Sequence, residues 1–375
     1  MFFWIVNFAL FGSYSLVLHR TKKESVFLMV SFIHFAIIAI CRDVSVGTDT
    51  YNYSSVYNVL KDSGRMTSSH IAASSEVFAL YLKAMTHIFP FTSGYMISTS
   101  LPSIMCVFYF IKQCSENYFY SVYLYGTFYF YFFSLNASRQ FLAIGLILVC
   151  YVLVKKNKVF TSIVIFLLAC NIHSAACIFI IYYCLKFIHW NDKRLLLCIL
   201  GITITVPMAT KFLNLFLRIY PQYDWMKSIL FSSKYLSQGR MSLVYASYCL
   251  ISIMIGLLFV LQNKINMKVK GRRLLKPIAG NESLQKEYEQ IIILYLAFCI
   301  EVIYQNSILI TRMVYTFLIF LIVFLTNSLE KIVWHKKIVC FGIFGVAFVF
   351  MILLLNGNYS NVLNYHFIWE SAIKR

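Results

Sequence analysis

Charged side chains are scarce in this chain of 375 residues. Asp, Glu, Lys and Arg together make up 13%, about half the fraction in soluble domains. Hydrophobic residues make up 60% and aromatic residues 18%. Because so much apolar surface needs a lipid environment, the composition excludes a soluble enzyme, a DNA-binding protein and a disordered scaffold.

Acidic residues are especially few: 14 Asp and Glu stand against 33 Lys and Arg, which gives a formal net charge of +19. On a soluble chain this excess would indicate nucleic acid as a partner. In a membrane protein the position of the charges matters more than their sum. We therefore expect the lipid bilayer, and no nucleic acid, as a partner.

Several motifs are also missing from the sequence. It has no CxxC pair, GxGxxG, P-loop, Asp-x-Asp or His-Glu-x-x-His, so no nucleotide cradle, ATP drive or metal centre is indicated. Most of the 11 cysteines lie within apolar runs as small hydrophobic residues. We expect no cofactor and no metal site.

Apolar runs long enough to cross a bilayer recur along the whole chain. They predict helices near residues 2–18, 25–41, 94–111, 118–135, 139–154, 195–213, 241–262, 289–308, 313–329 and 338–355. The run 76–91 is short, and polar residues at 171–174 interrupt the run 159–187. The sequence thus predicts an all-α polytopic membrane protein with about 10–12 transmembrane helices, including short or broken helices at these two places. No block outside the membrane is large enough for a domain, so residues 1–375 form one membrane domain.

The basic residues predict the orientation of the chain, because loops rich in Lys and Arg stay in the cytoplasm. Twenty of the 33 lie in six short loops, 20–24, 112–117, 155–158, 186–194, 263–288 and 330–337. The opposite side receives loops 42–75 and 214–240 and the tail 356–375. Seven arginines fall on this outer side: Arg42, Arg65, Arg139, Arg218, Arg240, Arg312 and Arg375. Since the planar guanidinium binds phosphate at two points, an anionic ligand outside is the favoured explanation.

The first polar constellation follows the second predicted helix. Arg42 is followed by Gly47, Thr48 and Asp49, a turn whose backbone amides we expect to point at one anion beside the arginine. The alternative is that Arg42 anchors a helix end and Asp49 caps the next helix.

The second constellation is Asn136, Arg139 and Gln140, which share one helical face at i, i+3 and i+4. These side chains can converge on one ligand. The alternative is an arginine that snorkels to the interface.

Two further candidates for proton transfer come from short or interrupted apolar runs. His173 lies at the break of the run 159–187, where an ionisable group within the membrane favours a function. Glu76 opens the short run 76–91. The alternative for His173 is a structural residue that bonds helix backbone, and the alternative for Glu76 is a charge favoured by the helix dipole. In the last third of the chain, Arg312 and Tyr315 follow Glu301, which is costly within a membrane unless it is used or paired.

The order of these motifs resembles the EpsG/Wzy family of O-antigen and exopolysaccharide polymerases. The resemblance rests on Arg42, Gly47-Thr48-Asp49, Glu76, Asn136-x-x-Arg139-Gln140 and His173-Ser174-Ala175, and extends to Arg312 and Tyr315. It implies a multi-pass glycosyltransferase of the bacterial inner membrane that works at the periplasmic face in lipopolysaccharide or exopolysaccharide synthesis. Its implied partners are an undecaprenyl-pyrophosphate-linked oligosaccharide donor and acceptor.

The resemblance also implies a reaction in which an acceptor hydroxyl attacks the anomeric carbon of the donor and undecaprenyl pyrophosphate leaves. We expect an inverting, metal-independent enzyme with Asp49, Glu76 and His173 as candidates for the base. The candidate substrate-binding residues are Arg42, Asn136, Arg139, Gln140, Arg312, Tyr315, Arg240 and Arg218. A chain-length regulator is a further candidate partner.

Two other functions remain open. An O-antigen ligase would use the same carrier, but the loop 214–240 is modest for a ligase. A flippase for lipid-linked oligosaccharide would show internal repeats, and none is visible. The sequence leaves open which candidate is the base, which sugars are joined and by which linkage, the anomeric outcome and the oligomeric state.

Overall fold

The computed structural model describes residues 1–63, 75–219, 239–265, 275–276, 280–304 and 308–373. Within these ranges the chain is helical, and its only β-type pairs are two isolated bridges. The prediction of an all-α fold is confirmed. The chain divides into two compact units: the first is Met1–Cys177 with Gly342–Arg375, and the second is Ile178–Phe341.

The described residues form a series of α-helices. In chain order they are α1 (Phe2–Arg20), α2 (Glu24–Ile40), α3 (Thr50–Ser63), α4 (Glu76–Ile88), α5 (Gly94–Cys114), α6 (Tyr118–Thr127), α7 (Phe130–Asn136), α8 (Ser138–Lys155), α9 (Val159–Ile172), α10 (Ile180–Lys186), α11 (Asp192–Ile219), α12 (Gly239–Ile265), α13 (Asn281–Ile303), α14 (Ile308–Leu318), α15 (Leu321–Lys331), α16 (Lys336–Asn356) and α17 (Ile368–Ile373), with 3₁₀ turns at Ser174–Phe179 and Tyr359–Asn361.

Among the residues that the structure describes, six stretches are long and apolar enough to cross a membrane. They are Phe2–Arg20, Gly94–Cys114, Ser138–Lys155, Ser242–Gln262, Arg312–Lys331 and Lys336–Asn356. Shorter apolar helices include α2 and α9. These lengths agree with the predicted polytopic membrane fold.

The two irregular places that the sequence indicates are present. Helix α4 has 13 residues and begins at Glu76. Ser75 caps its N-terminus, because the Ser75 hydroxyl accepts a hydrogen bond from the Phe78 amide. Helix α9 ends at Ile172, because His173 is extended (φ −150°, ψ 123°), and a 3₁₀ turn follows. The prediction of a short helix and a broken run is therefore confirmed.

Two predicted single helices are instead divided. The predicted helix 118–135 breaks into α6 and α7 where Tyr129 takes a left-handed conformation (φ 66°). The predicted helix 313–329 corresponds to α14 and α15, with a turn at 319–320. Helix α3 was not predicted. The interruption at Tyr129 has a tertiary cause, since the Tyr129 hydroxyl donates a 2.5 Å hydrogen bond to the carbonyl of Tyr359.

The packing of α2, α5 and α8 gives the first unit two distinct ends. Helices α2 and α5 run antiparallel, because Phe32 packs on Phe108 (ring centroids 5.7 Å apart) while Arg42 contacts Ser100. Helix α8 runs parallel to α5, because Ser138 contacts Tyr95 (hydroxyls 2.5 Å apart) and, farther along both helices, Gly145 lies against Cys106. Loops 20–24, 112–117 and 155–158 therefore share one end, which we call the basic end. Residues 41–49 and 136–140 lie at the other, which we call the polar end.

In the second unit, a buried ion pair joins α13 to the last residue of α15. The carboxylate of Glu287 and the ammonium of Lys331 bond directly, and both residues are buried. The Lys331 ammonium also lies 4.9 Å from the ring centroid of Phe259, on α12. This contact ties three helices of the unit together.

We expect Glu287→Gln to destabilise the protein strongly, because it leaves the Lys331 ammonium buried without a countercharge. Removing one partner of a buried pair costs about 3–5 kcal/mol. Thermal unfolding of the purified protein in detergent measures the change in midpoint. The control is Glu282→Gln in the exposed first turn of the same helix, which should have little effect. Equal midpoints for the two variants would contradict a stabilising pair.

Candidate functional site

At the polar end, the buried side chain of Arg42 joins three segments. Its guanidinium donates hydrogen bonds to the carbonyl of Ala39, to the hydroxyl of Ser100 (2.9 Å) and to the carbonyl of Leu135 (3.1 Å). Arg42 has no exposed surface. The arginine therefore links the loop 41–49 with α5 and with the end of α7.

The partners of Arg42 explain why a charge is tolerated there. Ala39 lies in the last turn of α2 and Leu135 in that of α7, where carbonyls lack helical partners and the helix dipole is negative. Burial lowers the pKa of the Arg42 guanidinium, but arginine remains charged in proteins. In this structure Arg42 contacts protein acceptors, and its predicted binding of pyrophosphate stays a prediction.

The turn 46–50 is fixed against α7 by Asn136. The amide oxygen of this residue accepts hydrogen bonds from the hydroxyl of Thr48 (2.8 Å) and from the backbone amide of Asp49 (2.9 Å). The hydroxyl of Thr50 donates to the carbonyl of Leu135 at 3.1 Å. Two constellations that lie nearly 90 residues apart in sequence are thus in direct contact.

Three backbone amides of this turn donate to acceptors within the protein. Gly47 donates its amide proton to the carbonyl of Asn361 (3.0 Å), Thr50 donates to Gly47 (3.3 Å), and Asp49 donates to Asn136. The expectation that these amides point together at an anion is therefore wrong. What remains at the turn for a ligand is side-chain chemistry, with Thr48 exposed and Asp49 half-buried.

Arg139 lies against two aromatic rings at the polar end. The central carbon of its guanidinium is 5.5 Å from the ring centroid of Tyr53 and 5.9 Å from that of Phe78, distances at which cation–π attraction acts. The residue is half-buried. The rings orient the guanidinium, and unlike Arg42 it keeps an exposed surface with which to meet an anion.

Three other candidates of the first unit lie close in sequence to Arg139 or to the two rings that it contacts. Glu76 is exposed at the start of α4, two residues before Phe78. Asp49 precedes Tyr53 by one helical turn, and its carbonyl accepts from the Tyr53 amide (3.3 Å). Gln140 is buried one residue after Arg139.

The hairpin of α8 and α9 brings His173 to the polar end. Cys150 and Ser162 pair across it, with the Ser162 hydroxyl 3.0 Å from the Cys150 carbonyl. Arg139 and His173 each lie 11 residues beyond this contact, away from the turn. Because the rise per residue is the same in both helices, the two residues are at the same level.

One ring nitrogen of His173 has a partner that constrains its proton. The Nδ1 atom accepts a hydrogen bond from the Ala175 amide at 3.2 Å. In the neutral ring, an Nδ1 that accepts leaves the proton on Nε2. His173 is therefore arranged to donate from Nε2 rather than to take up a proton there.

A C-terminal strap, residues 358–368, holds the turn from the outside. Asn361 accepts from the Gly47 amide and donates from its side chain to the Ser45 carbonyl (3.1 Å). The Asp43 amide donates to the His366 carbonyl at 2.8 Å. The hydropathy pattern does not predict this strap. The sequence does contain a turn signal in Asn358 and Asn361, because asparagine tolerates the left-handed backbone conformation that both residues adopt.

The other candidates lie in the second unit or outside the described residues. Tyr315, on α14, is buried and packs edge-on against Tyr245 of α12, with ring centroids 6.0 Å apart. Arg312 lies one turn before it and is half-buried. The side chains of Arg218 and Arg240 lie outside the described part of the chain.

Comparison with known families gives a match over nearly the whole chain. The model described as "EpsG family" matches residues 2–367. No curated protein matches, and no solved structure matches. The matched region includes the Arg42 and Arg139 segments, the second unit and most of the strap.

We expect Gly47→Ala to damage the polar end. Gly47 has a φ of +97°, and an added Cβ would lie 2.6 Å from the Thr50 hydroxyl and 2.8 Å from the Leu135 carbonyl. The strain, about 1–3 kcal/mol, should lower the thermal midpoint. Gly12→Ala is the matched control, because its Cβ would meet nothing within 4 Å. A Gly47→Ala protein as stable as the Gly12→Ala protein would contradict this account of the turn.

Proposed function

Because the chain belongs to the EpsG family, whose members have a polysaccharide polymerase-type function, we propose that this multi-pass membrane protein is an O-antigen or exopolysaccharide polymerase. Its substrates are oligosaccharide repeat units linked to undecaprenyl pyrophosphate. It transfers the growing chain from one carrier onto the repeat unit on another. The observation that carries the proposal is the gathering of Arg42, Asn136 and Arg139 at one end of the first unit.

The charge distribution supports a periplasmic site. The loops 20–24, 112–117 and 155–158 lie at the basic end, and Lys-rich loops are retained in the cytoplasm. The polar end then faces the periplasm of a bacterial inner membrane. A lipid-linked substrate in the outer leaflet can present its pyrophosphate at this level.

The reaction we propose is a direct displacement. The oxygen of an acceptor hydroxyl attacks the anomeric carbon of the donor sugar while the bond from that carbon to the pyrophosphate oxygen breaks. The leaving group keeps the electron pair, the hydroxyl proton goes to a protein base, and the anomeric configuration inverts. Arginines stabilise the charge on the leaving pyrophosphate, and no metal is needed in this scheme.

Arg139 is the principal pyrophosphate ligand in this proposal, because it is oriented by Tyr53 and Phe78 and retains exposed surface. Arg42 supports it from inside by holding the loop 41–49 against α7. Asn136 positions Asp49. Gln140 supports Arg139 from the next position.

Asp49 is the base we favour among the three candidates. It is half-buried and one helical turn from Tyr53, against which Arg139 lies. Glu76 is exposed at the start of α4 and comes second. His173 donates a hydrogen bond from Nε2 to a sugar or phosphate oxygen, since its Nδ1 accepts from Ala175.

The second unit holds further candidate residues for binding substrate. Arg312 and Tyr315 are its candidates, with Arg218 and Arg240 for the acceptor pyrophosphate or the polymer. Chain length is set with a separate regulator protein.

A ligase that uses the same carrier is distinguished from a polymerase by the intermediate that accumulates in a deletion strain. A lost polymerase leaves lipid A core capped with a single repeat, whereas a lost ligase leaves polymer on the carrier. Purified protein that lengthens lipid-linked repeats in detergent excludes a pure flippase. The same assay with and without a chelator tests whether metal is needed.

We expect Arg139→Ala to abolish extension of a synthetic undecaprenyl-pyrophosphate-linked repeat unit by the purified protein. Arg139→Lys should also lose about 100-fold, the usual cost of removing one donor to developing charge, because an ammonium lacks the two-point fork. The control is Arg20→Lys at the basic end, where the side chain is exposed. Full activity of Arg139→Lys would reduce the role of this residue to charge alone, and full activity of Arg139→Ala would remove it from the site.

We expect Asp49→Asn to lower kcat by about 10²–10⁴-fold, the usual contribution of a general base, with little change in KM. Glu76→Gln should stay within a few-fold of the unmodified protein. The matched control is Asp62→Asn, an exposed residue of helix α3, which begins directly after Asp49. The opposite result, with Glu76→Gln inactive and Asp49→Asn active, would transfer the role of base to Glu76.

A further inference from the structure

A groove opens between α2 and α5 toward the basic end of the first unit. Its volume is about 480 Å³, and its walls include Leu28 and Phe32 from α2 and Met105 and Phe108 from α5. It lies well away from Arg139 and the loop 41–49. The predicted chemistry of the polar end makes no use of it.

The groove changes from apolar to polar along its length. Phe32 and Met105 form its inner part, toward the middle of the helices, and Ser25, Tyr109 and Lys112 line the part next to the basic loops. The Lys156 ammonium lies 3.4 Å from the Tyr109 hydroxyl. An occupant therefore needs a long apolar portion and a head group at the level of two ammonium groups.

The charges around this mouth select the sign of the head group. The loops 20–24, 112–117 and 155–158 carry seven Lys and Arg against two carboxylates, Glu24 and Glu116. Basic pockets between transmembrane helices on the cytoplasmic side are suited to anionic lipid head groups. An acyl chain along Phe32 and Met105 would meanwhile cover apolar surface.

We propose that this groove binds one anionic phospholipid of the cytoplasmic leaflet. Its phosphate contacts Lys112 and Lys156, and one acyl chain lies along α2 and α5. The site is separate from the proposed polymerase site. It braces, at the basic end, the same two helices that Arg42 and Ser100 join at the polar end.

The test is lipid binding to the purified full-length protein in detergent, counted by native mass spectrometry. The protein is titrated with phosphatidylglycerol or with phosphatidylcholine of the same acyl chains. We expect phosphatidylglycerol to bind at least about tenfold tighter, because each lysine near the head group contributes about a fivefold gain. The double variant Lys112→Gln/Lys156→Gln should remove this preference and leave phosphatidylcholine binding unchanged.

Two further variants separate the groove from ordinary contact with the bilayer. Met105→Trp, which fills the groove, should weaken binding of both lipids. Lys337→Gln and Leu353→Trp alter an exposed lysine and an exposed leucine that do not line it, and should change neither. Equal binding of the two lipids by the unmodified protein would overturn the proposal. So would unchanged phosphatidylglycerol binding by either groove variant, with thermal unfolding as the check that the variant is folded.

Discussion

The polar end of the first unit depends on one buried guanidinium. Arg42 donates to carbonyls in the last turns of α2 and α7 and to Ser100 of α5. Helix ends expose unpaired carbonyls, and burying them without donors would be costly. Because one planar group satisfies acceptors from several segments, the loop 41–49 is held where Asn136 can fix Thr48 and Asp49.

The two arginines at the polar end have different surroundings. Arg42 is buried and donates from both terminal nitrogens of its guanidinium to protein acceptors, whereas Arg139 lies against Tyr53 and Phe78 and keeps exposed surface. In the proposed site, the rigid buried cation supports the polar end and the second cation binds the pyrophosphate. Such preorganisation favours stabilising charge that develops during a reaction, because the donors need not be reoriented at that moment.

The two ends of the first unit have opposite chemistry, and both follow from how α2, α5 and α8 run. The turns at the basic end are rich in lysine, which suits retention in the cytoplasm and contact with anionic lipid. The polar end combines arginine, amide and carboxylate groups. A substrate bound at one end and a lipid bound at the other would act on the same helices.

The amino-acid sequence determines the membrane class, the short helix at Glu76 and the break at His173, because hydropathy, run length and polar interruptions are local properties. It also supplies the candidate site residues, whose roles stay predictions. The break at Tyr129 and the amide bonds of the turn 46–50 were not predictable, since each depends on a partner distant in sequence. Tyr359 bonds Tyr129, and Asn361 bonds Gly47. Only the tertiary structure makes Arg42 fully buried and leaves Arg139 half-buried, because burial is decided by the packing of neighbouring segments and not by residue type.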